Sequence, residues 1–166
     1  FSVSTGTYTD LTDATSVNDG MTWDDPTFEI PIGFNFKLFD VPMEKIGVFP
    51  MAGSGSVISF DNHITGTVPV IMCYYSDLVD RGYVFDTPSS GSLSPISYKL
   101  EGGLGSRIFK IEWKNAGFYR EFNDDNESSD FVNFQIWLYE GNNDIEFHYG
   151  SSSISYPELS FGAKGV

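Results

Sequence analysis

Residues 28–38 read Phe-Glu-Ile-Pro-Ile-Gly-Phe-Asn-Phe-Lys-Leu, a stretch in which every second side chain is apolar. Alternation over this length predicts a β-strand with one face in a hydrophobic core and the other in solvent. Pro31 has no amide hydrogen to donate to a neighbouring strand. We therefore expect this strand to lie at a sheet edge or to be bulged at the proline.

The same two-residue period recurs between clusters of Gly, Asn, Asp and Ser, whereas no window carries an uninterrupted helical stripe. Many short strands separated by turn residues are typical of antiparallel sandwiches and barrels. We predict an all-β fold, a two-sheet antiparallel β-sandwich of jelly-roll type, with residues 1–166 forming a single domain. The further predicted strands are 45–49, 56–60, 68–75, 83–85, 95–101, 107–114, 131–140, 144–149 and 159–163.

One hairpin is predicted around the turn-forming residues 141–144, Gly-Asn-Asn-Asp. The turn predicts that Glu140 faces Ile145 and that Trp137 lies opposite His148. A slip by one residue would oppose core to solvent side chains along the whole hairpin, so the assignment of faces is strongly determined.

A second hairpin is predicted within residues 95–114. Pairing of unlike charges favours Lys99 opposite Glu112 and Glu101 opposite Lys110. The alternative register, shifted by two residues, opposes Lys99 to Lys110. Cross-strand pairs contribute only about 0.2–1 kcal/mol each, and they favour the first register.

The outward face of strand 131–140 carries an aromatic side chain flanked by amides, with a carboxylate and an imidazole on the next strand. A sugar platform needs such a set, because a ring stacks on the apolar face of a pyranose while polar groups bind its hydroxyls. The alternative is that another segment or domain covers this face. The predicted ligand contacts are Trp137, Gln135, Asn133, Tyr139, Glu146, His148 and, from a neighbouring loop, Tyr119.

Residues 115–130 show no strand periodicity and are predicted to form a long loop. Oxygen ligands alternate within it as they do in calcium loops, at Asp124, Asn126, Ser128 and Asp130. The motif is weak, because Ser129 stands where an EF-hand needs glycine and no glutamate follows at the twelfth position. A calcium-binding loop is therefore one interpretation of this sequence, and a solvated acidic loop is the other.

Other polar groups have simpler explanations. Asp24 and Asp25 precede Pro26 and suit a turn, whereas Asp77 and Asp80 follow an apolar run, where they either cap a turn or join an ion site. Glycosidases of this architecture need two carboxylates across a cleft, and no such strand motif, nucleophile motif or zinc spacing occurs. We expect a protein that is not an enzyme.

Composition excludes further classes. The chain has 166 residues, 23 acidic and 9 basic side chains and a formal net charge of −14. Binding of phosphate requires clustered Lys and Arg, so nucleic acids and anionic membranes are poor partners, and neutral glycans fit better than anionic ones. No stretch is apolar over the 18 residues or more that a membrane-spanning helix needs. The single cysteine, Cys73, cannot form an intrachain disulfide.

Several stretches, taken in order, resemble the non-catalytic β-sandwich domains of large secreted and surface proteins of Bacteroidetes, many of them cargo of the type IX secretion system. The resemblance covers nearly the whole chain. The stretches that carry it are 4–12, 30–36, 55–60, 97–99, 109–115, 132–140, 145–150 and 161–165.

This resemblance implies export, a secreted or cell-surface location, and a role in glycan binding, adhesion or domain spacing within a larger polypeptide. Two departures stand out. Tyr75-Ser76-Asp77-Leu78 replaces an aromatic-Asp-Asp-Leu sequence, and Trp137 stands where the family carries a polar residue. We predict a secreted carbohydrate-binding or adhesion module acting on a neutral polysaccharide or surface glycan. The alternatives are a structural spacer, with or without calcium, and a protein-interaction domain in a larger exported enzyme or adhesin.

Overall fold

The computed structural model describes residues 2–51, 54–59, 70–74, 76–84, 89–121 and 129–155. Within these ranges the chain forms β-strands and one helical turn that begins at residue 119. No helix in these ranges is long and apolar enough to cross a membrane. The strands are β1 (Thr15–Ser16), β2 (Phe28–Leu38), β3 (Val41–Met51), β4 (Ser54–Ser59), β5 (Val70–Met72), β6 (Leu78–Val79), β7 (Ile96–Glu101), β8 (Ile108–Phe118), β9 (Val132–Tyr139) and β10 (Ile145–Tyr149).

Strand β2 confirms the prediction made from its alternating sequence. From Glu29 onward its side chains alternate strictly between exposed or half-exposed and buried positions, and Ile32 and Phe36 are fully buried. The strand lies at the edge of its sheet, and its pairing with β3 shifts register between Pro31 and Phe36. The proline thus marks both an edge and a bulge, as its missing amide hydrogen requires.

The strands form two antiparallel sheets, so the prediction of an all-β fold is confirmed. The large sheet has the order β1-β7-β8-β9-β10, with β6 paired to the far end of β8, and the small sheet has the order β2-β3-β4-β5. Buried side chains from both sheets belong to one hydrophobic core. In the large sheet Trp113 stacks on Phe134, with ring centroids 5.0 Å apart. The jelly-roll connectivity stays a prediction.

Most predicted strands overlap observed ones, although some ends differ. Strand β3 begins at Val41 instead of residue 45, and β5 ends at Met72, whereas the predicted strand continued to residue 75. Strands β1 and β6 have no counterpart among the predictions, because two residues carry no detectable period. The predicted strand 83–85 does not form at Tyr83 and Val84. Residues 159–163 lie outside the described residues.

The register predicted for the β9–β10 hairpin is wrong by two residues, although the faces are assigned correctly. Ile145 lies opposite Leu138 instead of Glu140. Glu140 instead stays beside the start of β8, where its carboxylate accepts hydrogen bonds from Arg107 Nε at 2.8 Å and Nη2 at 2.5 Å. Hydrogen bonding to this guanidinium lowers the pKa of Glu140 to about 2. The turn therefore spans 140–143, with Asn143 in the left-handed region at φ 58°.

The register predicted for the β7–β8 hairpin is also wrong by two residues. Lys99 lies opposite Lys110, and Glu112 lies opposite Ser97. The two ammonium groups tolerate each other because Glu101 bridges them, at 3.2 Å from Lys99 Nζ and 2.6 Å from Lys110 Nζ. The Glu101 carboxylate lies between the two ammonium groups and offsets the repulsion between Lys99 and Lys110 that disfavours this register.

The loop predicted over 115–130 begins later than expected. Strand β8 continues to Phe118, and residues 119–121 are helical. The strand bulges between Trp113 and Ala116, where Asn115 adopts φ 51°. This bulge removes the alternation by which sequence reasoning recognises a strand.

Candidate functional site

The central strands of the large sheet bring together a group of partly exposed side chains that we call the Trp137 cluster. Lys110 on β8 lies directly opposite Trp137 on β9, and β10 flanks β9 on its other side. Side chains two residues apart on a strand share a face, so the same face also carries Tyr139. The cluster consists of Lys110, Trp137, Tyr139, Glu146 and His148. Glu146 is exposed, and the other four side chains are partly buried.

The Trp137 indole is held from three directions. Lys110 Nζ lies 3.8 Å from the ring centroid in a cation–π contact, and the His148 ring stacks at a centroid distance of 4.0 Å. These two residues come from strands on opposite sides of β9. The indole Nε1 donates a hydrogen bond to Gln135 Oε1 at 2.8 Å. Contacts with three side chains thus hold the indole in place, and it remains partly exposed.

Charged side chains hold one another in place at the edges of the cluster. Hydrogen bonding to Lys110 holds the pKa of the Glu101 carboxyl below its ordinary value. On the other side, Glu146 Oε2 lies 2.9 Å from His148 Nε2. Burial, and then a hydrogen bond to Glu146, raises the pKa of Tyr139. The polar groups thus bind one another and hold the aromatic rings in place.

Next to the cluster, on the same face of the sheet, lies a buried polar pair, Gln135 and Glu112, exposed by 1% and 2% respectively. Gln135 Nε2 donates to Glu112 Oε1 at 2.6 Å. The same carboxylate accepts from the Tyr8 hydroxyl at 2.8 Å and from the Leu11 backbone amide at 3.2 Å. Burial, and then the Glu112 carboxylate, raises the pKa of Tyr8. A buried carboxylate needs several donors, and Glu112 has them.

The N-terminal residues 8–12 lie across this part of the sheet as a cover, which we call the N-terminal segment. Its Thr9 carbonyl accepts from Gln135 Nε2 at 2.8 Å, and its Thr12 carbonyl accepts from Lys99 Nζ at 2.8 Å. Asp10 pairs with Lys114 at 2.5 Å, which raises the pKa of that lysine. The segment covers the half of the outward face on which Gln135 and Asn133 were predicted to meet a ligand.

Asn133 is buried, and its side chain makes hydrogen bonds within the protein. Its Oδ1 accepts from the Asn115 backbone amide at 2.8 Å, and its Nδ2 donates to the Ser151 carbonyl at 2.8 Å. Asn133 thereby holds the bulge of β8 in place and is only 7% exposed. Gln135 and Asn133 thus lie on the same face as the cluster but are buried, with their side chains hydrogen-bonded within the protein.

Tyr119, the last predicted ligand contact, lies away from the cluster. It follows the end of β8, nine residues along the chain from Lys110, and its backbone amide donates to the Asp77 carbonyl at 3.0 Å. Of the predicted ligand contacts, the structure brings together Trp137, Tyr139, Glu146 and His148. It adds Lys110, which lies opposite Trp137 in the β8–β9 pairing, a pairing that the sequence analysis did not predict.

The predicted calcium ligands Asp124, Asn126 and Ser128 lie outside the described residues. The fourth, Asp130, is 2% exposed, and its Oδ2 accepts from the Ser155 backbone amide at 2.7 Å and hydroxyl at 3.0 Å. These contacts tie residue 155 to the start of β9. Asp130 therefore has a structural role whether or not the loop binds calcium, and the calcium site stays a prediction.

A separate acidic group joins two parts of the chain that the sequence analysis left apart. Carboxylate oxygens of Asp24, Asp25 and Asp77 all lie within 4.8 Å of one another. Burial, and then the neighbouring carboxylates, raises the pKa of Asp77 to about 7. Burial, and then Asp25, raises the pKa of Asp24 to about 6. Hard oxygen donors in this number could hold a cation, although exposed acidic groups are common without one.

Asp80, in contrast, is fully buried and caps a turn. Its carboxylate accepts from the backbone amides of Gly82 at 2.7 Å and Leu93 at 3.0 Å, and from the Ser92 hydroxyl. The sequence left Asp77 and Asp80 undecided between a turn cap and an ion site. The structure assigns the cap to Asp80 and places Asp77 in the acidic group.

The fold and this surface define an all-β domain with a preformed aromatic and charged cluster on one sheet. The family model described as NIDO related matches residues 1–164, and the chain belongs to the NIDO-related family. No curated protein and no solved structure matches it.

Proposed function

We propose that this domain is a non-catalytic binding module of a secreted or cell-surface protein, and that it binds a neutral glycan at the Trp137 cluster. One observation carries the proposal: two aromatic side chains, Trp137 and Tyr139, stand partly exposed on a sheet face with their polar neighbours already fixed. A surface that is ordered before binding loses little conformational entropy when a ligand arrives.

The geometry changes how a sugar would bind. Two side chains already pack on the Trp137 indole, with Lys110 Nζ 3.8 Å and the His148 ring 4.0 Å from its centroid. A pyranose would therefore pack against Tyr139 and the exposed part of the indole instead of lying flat on the indole. Its hydroxyl groups would exchange hydrogen bonds with Glu146 and the imidazole of His148. Gln135 would act as a positioning residue, because its Oε1 accepts the hydrogen bond from the indole Nε1.

Charge supports a neutral ligand. The protein carries a formal net charge of −14, and the cluster itself includes the exposed Glu146. A polyanionic sugar would meet repulsion from the whole protein, whereas a neutral chain would not. The resemblance to exported β-sandwich domains supports a secreted or surface location.

A glycan array tests the proposal. We expect the wild type to bind one class of neutral oligosaccharide, and Trp137→Ala and Tyr139→Ala to lose that binding. Phe39→Asn is the matched control, since Phe39 is an exposed aromatic residue on the turn between β2 and β3. Absence of binding by the wild type, or equal binding by all variants, would overturn the proposal.

A structural spacer is the second candidate, and the acidic group of Asp24, Asp25 and Asp77 favours it. Three close carboxylates repel one another, and a divalent cation would relieve that repulsion. In this role the domain binds no glycan, and calcium raises its melting temperature. The two candidates are separated by comparing the array result with the calcium dependence of unfolding.

A further inference from the structure

The N-terminal segment lies over two buried polar side chains of the large sheet, Glu112 and Gln135. They face each other across the central strands β8 and β9 and are 2% and 1% exposed. Glu112 accepts from the Tyr8 hydroxyl and the Leu11 amide, both of which belong to the segment. Gln135 Nε2 donates to the Thr9 carbonyl of the same segment. The segment therefore both covers this polar pair and satisfies it.

A glycine leaves room for the Tyr8 side chain. A Cβ atom added at Gly150 would lie 2.9 Å from two atoms of the Tyr8 ring and 2.9 Å from Asn133 Cβ, which is too close for carbon atoms. The ring thus lies against the backbone at the end of β10, while its hydroxyl reaches Glu112 on β8 at 2.8 Å. We call the place that Tyr8 fills, bounded by Glu112, Gln135 and Gly150, the covered subsite. It accommodates a six-membered ring that carries a hydroxyl group.

The N-terminal segment is attached to the sheet by few interactions. Within the part of the chain that the structure describes, residues 2–14 make no backbone–backbone hydrogen bond. Three of the five side chains of the segment are exposed, and the other two are only partly buried. The ion pair of Asp10 and Lys114 is exposed on both sides and contributes little. Segments with so few buried contacts open locally at low cost in free energy, so this segment can leave while the sheet stays folded.

Departure of the segment would uncover a hydrogen-bond donor beside an acceptor. Gln135 Nε2 would lose the Thr9 carbonyl, and the Glu112 carboxylate would lose two of its donors. Neighbouring sugar hydroxyls can replace both, because a hydroxyl group both donates and accepts. Gln135 also accepts from the Trp137 indole, so the uncovered groups would continue the Trp137 cluster along the same face. The Glu112 carboxylate disfavours an anionic sugar in this place.

We infer that the N-terminal segment is a displaceable occupant of the covered subsite, and that a neutral oligosaccharide bound at the Trp137 cluster displaces it and places a further sugar unit there. The inference rests on the proposed function and adds to it a second subsite that the chain itself closes. Neighbouring strands lie about 4.8 Å apart, so a ligand that crosses from β10 to β8 spans about 10 Å. A short sugar would bind beside the segment, whereas a longer one would have to displace it.

Calorimetric titration with a short and a long probe tests the inference. The probes are the disaccharide and the hexasaccharide of the neutral class that the array selects. We expect Tyr8→Phe and Tyr8→Ala to bind the hexasaccharide about tenfold or more tightly than the wild type does, because the segment competes less for the covered subsite. Their affinity for the disaccharide should change far less. Val3→Ser is the matched control and should bind as the wild type does, since Val3 is 100% exposed and precedes the segment.

Amide hydrogen exchange of Leu11 follows the segment directly, because its N–H donates to Glu112. Exchange should be faster in Tyr8→Phe without any sugar, and faster in the wild type when the hexasaccharide, but not the disaccharide, is bound.

Two results would overturn the inference and leave the proposed function standing. One is a bound hexasaccharide that leaves the Leu11 amide protected, and the other is equal affinity of the wild type and both Tyr8 variants for the hexasaccharide. Unchanged binding of both probes by Trp137→Ala would instead overturn the proposed function, and the inference with it.

Discussion

The indole Nε1 of Trp137 donates its hydrogen bond to Oε1 of Gln135, a side chain that is 1% exposed. Gln135 in turn donates to Glu112, whose carboxylate also accepts from the Tyr8 hydroxyl. A continuous chain of hydrogen bonds therefore runs along the outward face of the large sheet, from the candidate binding surface through the buried pair Gln135 and Glu112 to the N-terminal segment. Changes in the N-terminal segment should affect the position of the indole.

Trp137→Phe should weaken both stability and glycan binding, because it keeps an aromatic ring but removes the donor to a buried acceptor. Leaving Gln135 Oε1 without this bond costs about 1 kcal/mol in free energy of unfolding. Urea denaturation measures it. Tyr139→Phe is the comparison, since Tyr139 hydrogen-bonds the exposed Glu146 and its loss should cost less. Equal costs for the two variants would speak against a special role of the indole bond.

Tyr8→Phe should destabilise the protein by about 1.5–3 kcal/mol, the range for hydrogen bonds to charged groups. The hydroxyl of Tyr8 donates to the buried Glu112 carboxylate at 2.8 Å. Tyr149→Phe provides a matched control, because its hydroxyl donates to the neutral carbonyl of Cys73 at 3.0 Å. The first variant should lose more stability than the second in chemical denaturation. If Tyr149→Phe is equally costly, the Tyr8 bond contributes no more than a neutral one.

Stability should fall as the pH rises from about 4 to 7, and Asp77 should account for much of the fall. The folded-state pKa of Asp77 is about 7 against an ordinary value of 3.8, so the folded state holds a proton that the unfolded state releases. This contribution is present below the unfolded pKa and is lost as pH passes through the folded pKa. Asp77→Asn should raise the melting temperature at pH 8 by a few degrees and change it little at pH 4. An unchanged pH profile in this variant would contradict the raised pKa.

Calcium at millimolar concentration should raise the melting temperature relative to chelator if either acidic region holds the ion. Asp77→Asn and Asp124→Asn locate the site, because the first disables the acidic group and the second disables the predicted loop. Loss of the calcium effect in one variant alone assigns the ion to that region. The same melting temperature in calcium and in chelator would contradict calcium binding at either acidic region.

The strands could be predicted where one face of a strand meets the core and the other meets solvent. Strand β2 shows this most clearly: its alternation predicted its extent, and Pro31 predicted an edge position or a bulge, both of which occur. Strand β8 was predicted too short, because the bulge at Asn115 breaks the period. A bulge is stabilised by a distant side chain, here Asn133, and local pattern does not reveal such a partner.

For both hairpins, the sequence predicted which side chains share a face of the sheet but not which residues lie opposite each other. The face follows from burial, which acts on every residue of a strand. A register shift by two residues leaves every side chain on the same face, so burial does not distinguish the two registers. In the observed registers Glu140 pairs with Arg107 instead of lying opposite Ile145, and Glu101 bridges Lys99 and Lys110. These contacts depend on the packing of three strands at once.

The candidate site was predicted except for Lys110 and for the N-terminal segment that covers part of the face. Trp137, Tyr139, Glu146 and His148 share the expected face. Gln135 lies on that face as well, but the N-terminal segment covers it. Residues 8–12 carry no periodic signal, so nothing in the sequence indicated that they cover the sheet.

The most direct test of glycan binding at the Trp137 cluster is a two-dimensional ¹⁵N NMR titration that follows the indole resonances. The chain has three tryptophans, and Trp23 and Trp113 are buried at 4% and 0% exposure. We predict that a neutral oligosaccharide selected on the array shifts the indole N–H of Trp137 in a saturable manner and leaves the other two in place. A saturating ligand that leaves the Trp137 resonance unmoved would contradict the account.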